Sequence, residues 1–221
     1  MTILNYYPYT PYDTGERIEE HPLFDLLYPL TPYNPPHKDD KQLLVNSCPA
    51  MQAFDNQSFI IKSPVDIRID YDTFTNTFRT NVPEGTSSLI LGTGDQSVPI
   101  LQFAFYYLFW QDKQTDTQLF LYDPPLYSLK SLPNYYITAG MIPIGNYTRN
   151  TSIGIVIKDK TKPVIIKRGQ PLATITALSS KRIKLKKTPP PQHILDTNAR
   201  NLKMKKFCPY TFSKQLFSRW L

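Results

Sequence analysis

Aspartates are the first side chains in this sequence to consider as acids, bases or metal ligands. Asp70 and Asp72 flank one tyrosine, a spacing that places both carboxylates on the same side of an extended strand, where they could share a metal ion. The same alternation equally predicts plain solvent-exposed carboxylates. Most of the remaining candidates fall on the polar side of a strand or in turns, where hydration accounts for them: Asp66, Asp95, Asp112, Asp116, Asp123 and Asp159.

Nucleophilic chemistry has little support in the sequence. The serine pairs at 87–88 and 179–180 have no histidine in a partner motif, and a serine nucleophile needs a base. Histidines and cysteines are scattered along the chain, at His21, His37, Cys48, His193 and Cys208. Such spacing gives neither a metal site nor a disulfide framework. We therefore predict no catalytic residue, no metal and no cofactor, and expect a protein that is not an enzyme.

Short apolar runs rich in β-branched residues are the elements that must position these side chains. Three consecutive runs lie at 153–157, 163–166 and 172–178, each bounded by turn-forming residues. Further strands are predicted at 58–62, 65–71, 101–110 and 118–122. The run at 65–71 alternates between apolar and polar residues, whereas the run at 101–110 is apolar on both faces, as in a central buried strand. The sequence predicts an all-β domain at 41–180, an antiparallel sandwich or barrel.

Two extended arms flank this domain. Residues 1–40 hold seven Pro and six Tyr, and Pro favours extended chain because it fixes φ and removes a backbone donor. This N-terminal arm either wraps its own domain or docks on a neighbour, and its candidate docking residues are Tyr6, Tyr7, Tyr9 and Tyr12. The C-terminal arm, 181–221, ends in a predicted helix at 211–221. That helix needs a docking surface for its apolar stripe, which consists of Phe212, Leu216, Phe217 and Trp220.

The C-terminal arm is strongly basic. The whole chain has a net charge of +7, yet residues 181–221 carry eleven Lys and Arg against one acid, which leaves −3 on residues 1–180. Candidate polyanion-binding residues are Lys181, Arg182, Lys184, Lys186, Lys187, Lys203, Lys205 and Lys206. If 181–187 is a strand, alternation displays a row of cations along one side. The row could hold nucleic acid through its phosphates, face an acidic protein surface, or simply be solvated.

One segment resembles a known family. The resemblance rests on Ala-Gly-Met-Ile at 139–142, Asn-Tyr at 146–147, Gly-Ile-Val-Ile at 154–157 and Ile-Ile-Lys-Arg-Gly-Gln-Pro-Leu-Ala-Thr-Ile at 165–175. This order is similar to the later half of dUTPase-like (beta-clip) chains, across residues 137–178. Pro143 stands where the family has its catalytic Asp, and the family's upstream Gly-rich and Arg-Ser-Ser motifs are not recognisable. The resemblance therefore implies strand–turn–strand architecture without hydrolysis.

These features lead to three functional hypotheses. The favoured one is a non-enzymatic structural or assembly protein, a viral or phage virion component that links other protein subunits through its arms. The alternative is a dUTPase-like nucleotide-binding protein or hydrolase whose phosphate site would be lined by Arg149, Lys167 and Arg168. The third is a nucleic-acid accessory protein that uses the basic arm.

The sequence also bears on location. No signal peptide is recognisable, and the longest apolar run has eight residues, far short of the roughly 20 that a membrane helix needs. We therefore expect no membrane partner and a location in a virion or the cytoplasm.

Overall fold

A computed structural model describes residues 1–8, 28–33, 49, 56–75, 77–81, 90–93, 100–112, 117–124, 133–144 and 150–207. In chain order the described strands are β1 (Thr2–Pro8), β2 (Thr31–Pro32), β3 (Ser58–Lys62), β4 (Ile67–Asp72), β5 (Thr77–Thr80), β6 (Ile90–Thr93), β7 (Ile100–Trp110), β8 (Gln118–Tyr122), β9 (Tyr135–Ile137), β10 (Gly140–Pro143), β11 (Asn150–Ile157), β12 (Val164–Ile166), β13 (Pro171–Leu178) and β14 (Ile183–Lys187). Helix α1 (Gln192–Phe207) follows them.

Three sheets contain these strands. The largest has the order β14-β1-β7-β11-β9, and β6 also pairs with the first part of β7. A five-stranded sheet has the order β10-β8-β13-β3-β2, and a three-stranded sheet has the order β12-β4-β5. Only β1 and β14 form a parallel pair among the described pairings. The architecture is therefore mostly antiparallel, which suits strands that bury one face and expose the other.

One apolar cluster joins the three sheets. Its members lie on alternate positions of the strands, and each sheet contributes to it: Leu4, Leu101 and Ile155 from the first sheet, Ile61, Leu119 and Ile175 from the second, and Ile67, Ile69 and Val164 from the third. Fully burying an aliphatic side chain of this size stabilises a fold by about 1.5–3 kcal/mol. The sheets are held face to face mainly by this cluster.

The structure confirms the predicted all-β class. β3 and β8 begin and end at the predicted residues, and β11, β12 and β13 coincide with the three consecutive apolar runs. β7 lies in the interior of its sheet, as an apolar run without alternation predicts. Along β4 the apolar residues are buried and Arg68 is exposed. None of the three sheets closes into a barrel in the described residues, so the barrel alternative is set aside.

The first residues of the predicted N-terminal arm belong to the body of the protein. β1 pairs with β14 on one side and with β7 on the other, so the sheet extends on both sides of the predicted 41–180 limits. Tyr6 is only 5% exposed and packs near Tyr107 and Phe109, with ring centroids 6.4 and 6.5 Å away. Two flanking strands and the core cover most of this side chain, and its role in docking on a partner stays a prediction.

Helix α1 was not predicted. It follows a run of three prolines, and the Ile194 N–H donates to the Pro191 carbonyl at 2.9 Å to form its first turn. Ile194 packs against Leu108 and Trp110, with Tyr7 at the margin of this second, smaller cluster. The predicted helix at 211–221 lies outside the described residues, as do Tyr9 and Tyr12. Within the described chain, no helix has the length and apolar content needed to cross a membrane.

Candidate functional site

An open cleft lies between the edges of the two larger sheets. One wall is β14, the edge of the six-stranded sheet, and the other is β2 with its neighbour β3 at the edge of the five-stranded sheet. The volume of the cleft is about 650 Å³. Its floor includes the apolar parts of Tyr6, Leu30 and Phe59, all buried core residues. The cleft is therefore large enough to receive side chains or a segment of another molecule.

β14 forms the basic wall of this cleft, and apolar and cationic residues alternate along most of it. Ile183 is buried and Leu185 half-buried, whereas Lys184 and Lys186 are exposed. Main-chain hydrogen bonds to β1 fix both ends of the strand, from Thr2 N–H to the Arg182 carbonyl at 2.8 Å and from Thr188 N–H to the Tyr6 carbonyl at 3.1 Å. No described strand pairs with the outer edge of β14, so that edge offers unpaired main-chain groups.

The rim of the cleft is cationic. Arg182, Lys184 and Lys187 line it, and none of its described lining residues is acidic. Cations around a low-dielectric apolar floor attract anions more strongly than the same charges do on an open surface. Burial raises the pKa of Tyr6, and a hydrogen bond with the Leu30 backbone opposes that rise, so its hydroxyl is neutral at physiological pH. The chemistry of the cleft fits a ligand that combines negative charge with an apolar group.

The predicted polyanion-binding residues divide into two sets. Arg182, Lys184 and Lys187 line the cleft, whereas Lys181 and Lys186 are exposed on the same segment but do not line it. Lys203, Lys205 and Lys206 lie on α1, and the structure does not describe their side chains. The cleft itself was missed from the sequence, because its floor and its rim come from segments far apart along the chain.

The carboxylate pair on β4 is engaged in ion pairs. Arg68 donates two hydrogen bonds to Asp70, both 2.8 Å long, and the donated hydrogen bond lowers the pKa of Asp70. Asp72 accepts the N–H groups of Phe74 and Thr75 at 3.0 and 3.1 Å, and the Thr75 hydrogen bond is the main cause that lowers the pKa of Asp72. Both carboxylates therefore have local structural roles. Within the described residues, no three His, Cys, Asp or Glu side chains come together as metal ligands would.

The proposed phosphate-binding residues lie in the turn between β12 and β13. Gly169 adopts a φ of 78° there, which favours glycine, and the Lys167 N–H donates to the side chain of Gln170 at 3.0 Å. The Arg168 N–H donates to the Asp66 carboxylate at 2.7 Å, so a negative charge already lies beside this turn. Arg149 is outside the described residues. Pro143, at the position of the family's catalytic Asp, pairs with Gln118 on β8.

The sequence predicted Asp123 to be a hydrated carboxylate and gave no sign that its pKa is shifted. Burial raises the pKa of Asp123, although its carboxylate accepts the Ile137 N–H at 2.8 Å. Burial, and then the charge of Asp123, raises the pKa of Tyr135 to about 12. Gln170 donates to the Tyr135 hydroxyl at 3.3 Å. Perturbed groups often mark functional sites, but this carboxylate already caps β9 through the Ile137 N–H, which is a structural role.

Comparison with known proteins finds structural similarity to dUTPases at a low level. No family model and no curated protein sequence matches the chain. Solved structures of dUTPases do match: native EIAV dUTPase (14% identity, TM-score 0.33, 62% of this chain and 84% of that chain) and the dUTPase from phage phi11 of S. aureus (11% identity, TM-score 0.34, 62% and 84%). A mutant dUTPase of Staphylococcus bacteriophage 80alpha with dUpNHpp matches at 10% identity (TM-score 0.34, 62% and 78%). The chain is similar to these proteins at this low level, and the similarity extends to neither activity nor ligand.

Proposed function

We propose that this chain is a non-enzymatic structural or assembly protein, a virion component that joins neighbouring protein subunits. The observation that carries the proposal is the basic cleft with its apolar floor. Partially desolvated apolar pockets rimmed by charge are typical of sites where one protein anchors another. The outer edge of β14, which none of the described strands pairs with, adds main-chain donors and acceptors to the same surface.

Other sheet edges support an assembly role. β9, β10 and β12 are edge strands in the described sheets, and each exposes a large apolar side chain: Tyr136, Met141 and Ile165, at 41, 53 and 50% exposure. The three strands are short, three or four residues each, but none carries a charged side chain, which is the other usual protection of an edge against association. Apolar edges on all three sheets are expected of a subunit that contacts several neighbours.

A nucleic-acid accessory role is the second candidate, and the exposed cations of β14 favour it. Phosphate contacts would use every cation of the segment, whether or not it lines the cleft, because such contacts depend on charge and little on shape. A docked protein group would instead depend on the cleft cations. The two groups of lysines on the same segment therefore discriminate between the hypotheses.

Light scattering on the full-length chain tests the proposal. Wild type is expected to exceed the monomer mass as concentration rises. The variant Lys184→Glu with Lys187→Glu is expected to lower that mass at equal concentration. The matched control, Lys181→Glu with Lys186→Glu, makes the same change in net charge on the same segment outside the cleft and is expected to behave as wild type.

Other results would overturn the proposal. A chain that stays monomeric, binds single-stranded oligo(dT) with steep salt dependence and loses that binding equally in both variants is a nucleic-acid protein. A chain that binds dUTP in calorimetry and loses the binding on Arg168→Ala is nucleotide-binding, as the dUTPase-like alternative holds.

A further inference from the structure

The outer edge of β14 borders the basic cleft along its length. Four consecutive residues, 182–185, line the cleft. Neighbouring side chains of a strand point to opposite faces, so the edge of this segment, and not one of its faces, borders the cleft. The opposite wall offers little to pair with, because β2 is two residues long and its Pro32 has no N–H. Among the described strands, β14 is therefore the one beside this cleft that can accept a further strand.

The pairing with β1 shows which main-chain groups of β14 face the cleft. The Arg182 carbonyl and the Thr188 N–H are both bonded to β1, at 2.8 and 3.1 Å. In a parallel pair, alternate residues of a strand direct both their N–H and their C=O groups to the same neighbour. The even-numbered residues of this segment therefore face β1. The odd-numbered residues Ile183, Leu185 and Lys187 direct their N–H and C=O groups to the open edge.

The cations on the rim of the cleft have no carboxylate beside them. In the described part of the chain, Arg182, Lys184 and Lys187 take part in no ion pair. Because side chains alternate along a strand, Lys184 lies on one face of the sheet and Lys187 on the other. A strand added to this edge would meet a cation on each of its own two faces. Opposite charges on neighbouring strands stabilise such a pairing.

The main-chain groups and the cations together define the ligand. A second β14 is unsuitable, because its lysines would bring like charges together. Phosphate groups suit the cations, but they only accept hydrogen bonds and would leave the outward carbonyls without donors. An extended peptide supplies both N–H and C=O groups, as in β-strand addition, and carboxylates along it would neutralise the cations.

We propose that an extended acidic segment of a neighbouring protein subunit adds to the edge of β14 as a further strand of the six-stranded sheet. Its main chain pairs with Ile183, Leu185 and Lys187, and its Asp or Glu side chains meet the cations on the two faces. Lysines on an edge discourage basic and apolar strands, so charge decides which segment is accepted. This inference rests on the proposed assembly role and adds the chemistry of the segment that the cleft receives.

Fluorescence anisotropy with the full-length protein and a labelled, end-blocked peptide tests the contact. The probe alternates glutamate and valine, and wild type is expected to bind it, more weakly as salt screens the charges. The same peptide with every amide N-methylated keeps the charges but has no N–H donors, and should bind at least about 10-fold more weakly. A peptide that alternates lysine and valine should not bind. Equal affinity for the plain and the N-methylated glutamate peptides would overturn the inference, because charge alone would then explain the binding.

Two substitutions at one position separate the main chain from the charge. Lys187→Gln and Lys187→Pro remove the same charge, but only proline also removes the outward N–H. An edge strand tolerates proline where that N–H faces away from its neighbour. Lys187→Gln should weaken peptide binding about 2- to 5-fold, and Lys187→Pro by about a further 2- to 10-fold. Equal weakening would contradict strand addition, and matching urea midpoints would show that both variants keep the fold.

The outcomes separate this inference from the assembly role. If the glutamate peptide does not bind at about 1 mM, while Lys184→Glu with Lys187→Glu still lowers the assembled mass, another group fills the cleft: this inference fails and the assembly role stands. If the peptide binds as expected and wild type stays monomeric, the strand-accepting site stands and self-assembly fails. If oligo(dT) displaces the peptide and binds the two Lys187 variants equally, the edge is a phosphate site and this inference fails.

Discussion

Replacing Gly154 with alanine tests how closely β11 is packed against the segment after β9. A Cβ atom at position 154 would lie 2.3 Å from the Thr138 hydroxyl oxygen, 3.2 Å from its methyl carbon and 3.3 Å from its Cβ. The threonine cannot easily withdraw, because its N–H donates to the Gly154 carbonyl at 2.8 Å. Rotation about χ1 that moved the hydroxyl away would break its 3.3 Å hydrogen bond to the Gly154 carbonyl.

The expected cost follows from that geometry. Forcing an extra methyl group into packed structure destabilises proteins by about 1–3 kcal/mol, against which alanine recovers about 0.4–1 kcal/mol by restricting the unfolded chain. Gly154→Ala should therefore lower the free energy of unfolding by about 1–2 kcal/mol. Urea titration followed by tryptophan fluorescence measures the change, provided that the m-value is unchanged.

A double-mutant cycle decides whether Thr138 is the cause. Thr138→Ala removes the two nearest atoms and only one long hydrogen bond, 3.3 Å from its hydroxyl to the Gly154 carbonyl, so alone it should cost about 0.5–1 kcal/mol. Combined with Gly154→Ala, it should restore most of the stability lost to the clash. A Gly154→Ala protein as stable as wild type, or two changes whose effects simply add, would refute the reasoning.

Three other predictions concern stability. Thr176→Val removes the 2.7 Å hydrogen bond to the buried Ser58 hydroxyl and the 2.8 Å hydrogen bond to the Tyr122 hydroxyl, and should cost about 1–3 kcal/mol in urea unfolding. Ile194→Ala removes the main apolar contact of α1 and should cost about 2 kcal/mol, with faster hydrogen exchange confined to the helix. Hydrogen bonds, first from the Thr161 hydroxyl, lower the pKa of Asp159 from 3.8 to about 2. Its ionised form therefore stabilises the fold above pH 3.8, and this contribution is lost as pH falls towards 2, so Asp159→Asn should flatten the acid limb of a stability–pH curve.

Each of these three stability predictions has a control or an outcome that would contradict it. Ser58→Ala should cost less in the Thr176→Val background than in wild type, because the hydrogen bond between the two hydroxyls is already lost there. Exchange that accelerates throughout the sheets in Ile194→Ala would mean that α1 does not open as a separate unit. A stability–pH curve of Asp159→Asn that runs parallel to wild type below pH 3.8 would contradict the assigned role of the carboxylate.

The local pattern of apolar and turn-forming residues was enough to predict several strands. Residues 58–62 and 118–122 are short apolar runs, and the latter stops at Asp-Pro-Pro, so the pattern alone located β3 and β8. The pattern did not reveal β1 as a strand, because tyrosines and Pro8 dominate its surroundings and its partner β14 lies more than 170 residues away. α1 was missed because few apolar residues mark its buried side, chiefly Ile194.

The sequence predicted the cations of the candidate site but not its apolar floor. The cations of 181–187 were identified from their density and alternation. The apolar floor was not, because Leu30, Phe59 and Tyr6 meet beside β14 only after two sheets have formed.

The pairing of β1 with β14 has a consequence for synthesis in the cell. Thr2 lies opposite Ile183 and Tyr6 opposite Lys187, so β1 cannot complete its hydrogen bonding until about 180 further residues have left the ribosome. At 5–20 residues per second, that interval is roughly 10–40 seconds. During it, β1 can pair with β7 as soon as residue 110 has emerged, but its other edge stays open. Nascent chains should therefore be most prone to strand exchange with neighbours on the same polysome, and a chaperone that shields this edge should raise the yield of folded protein.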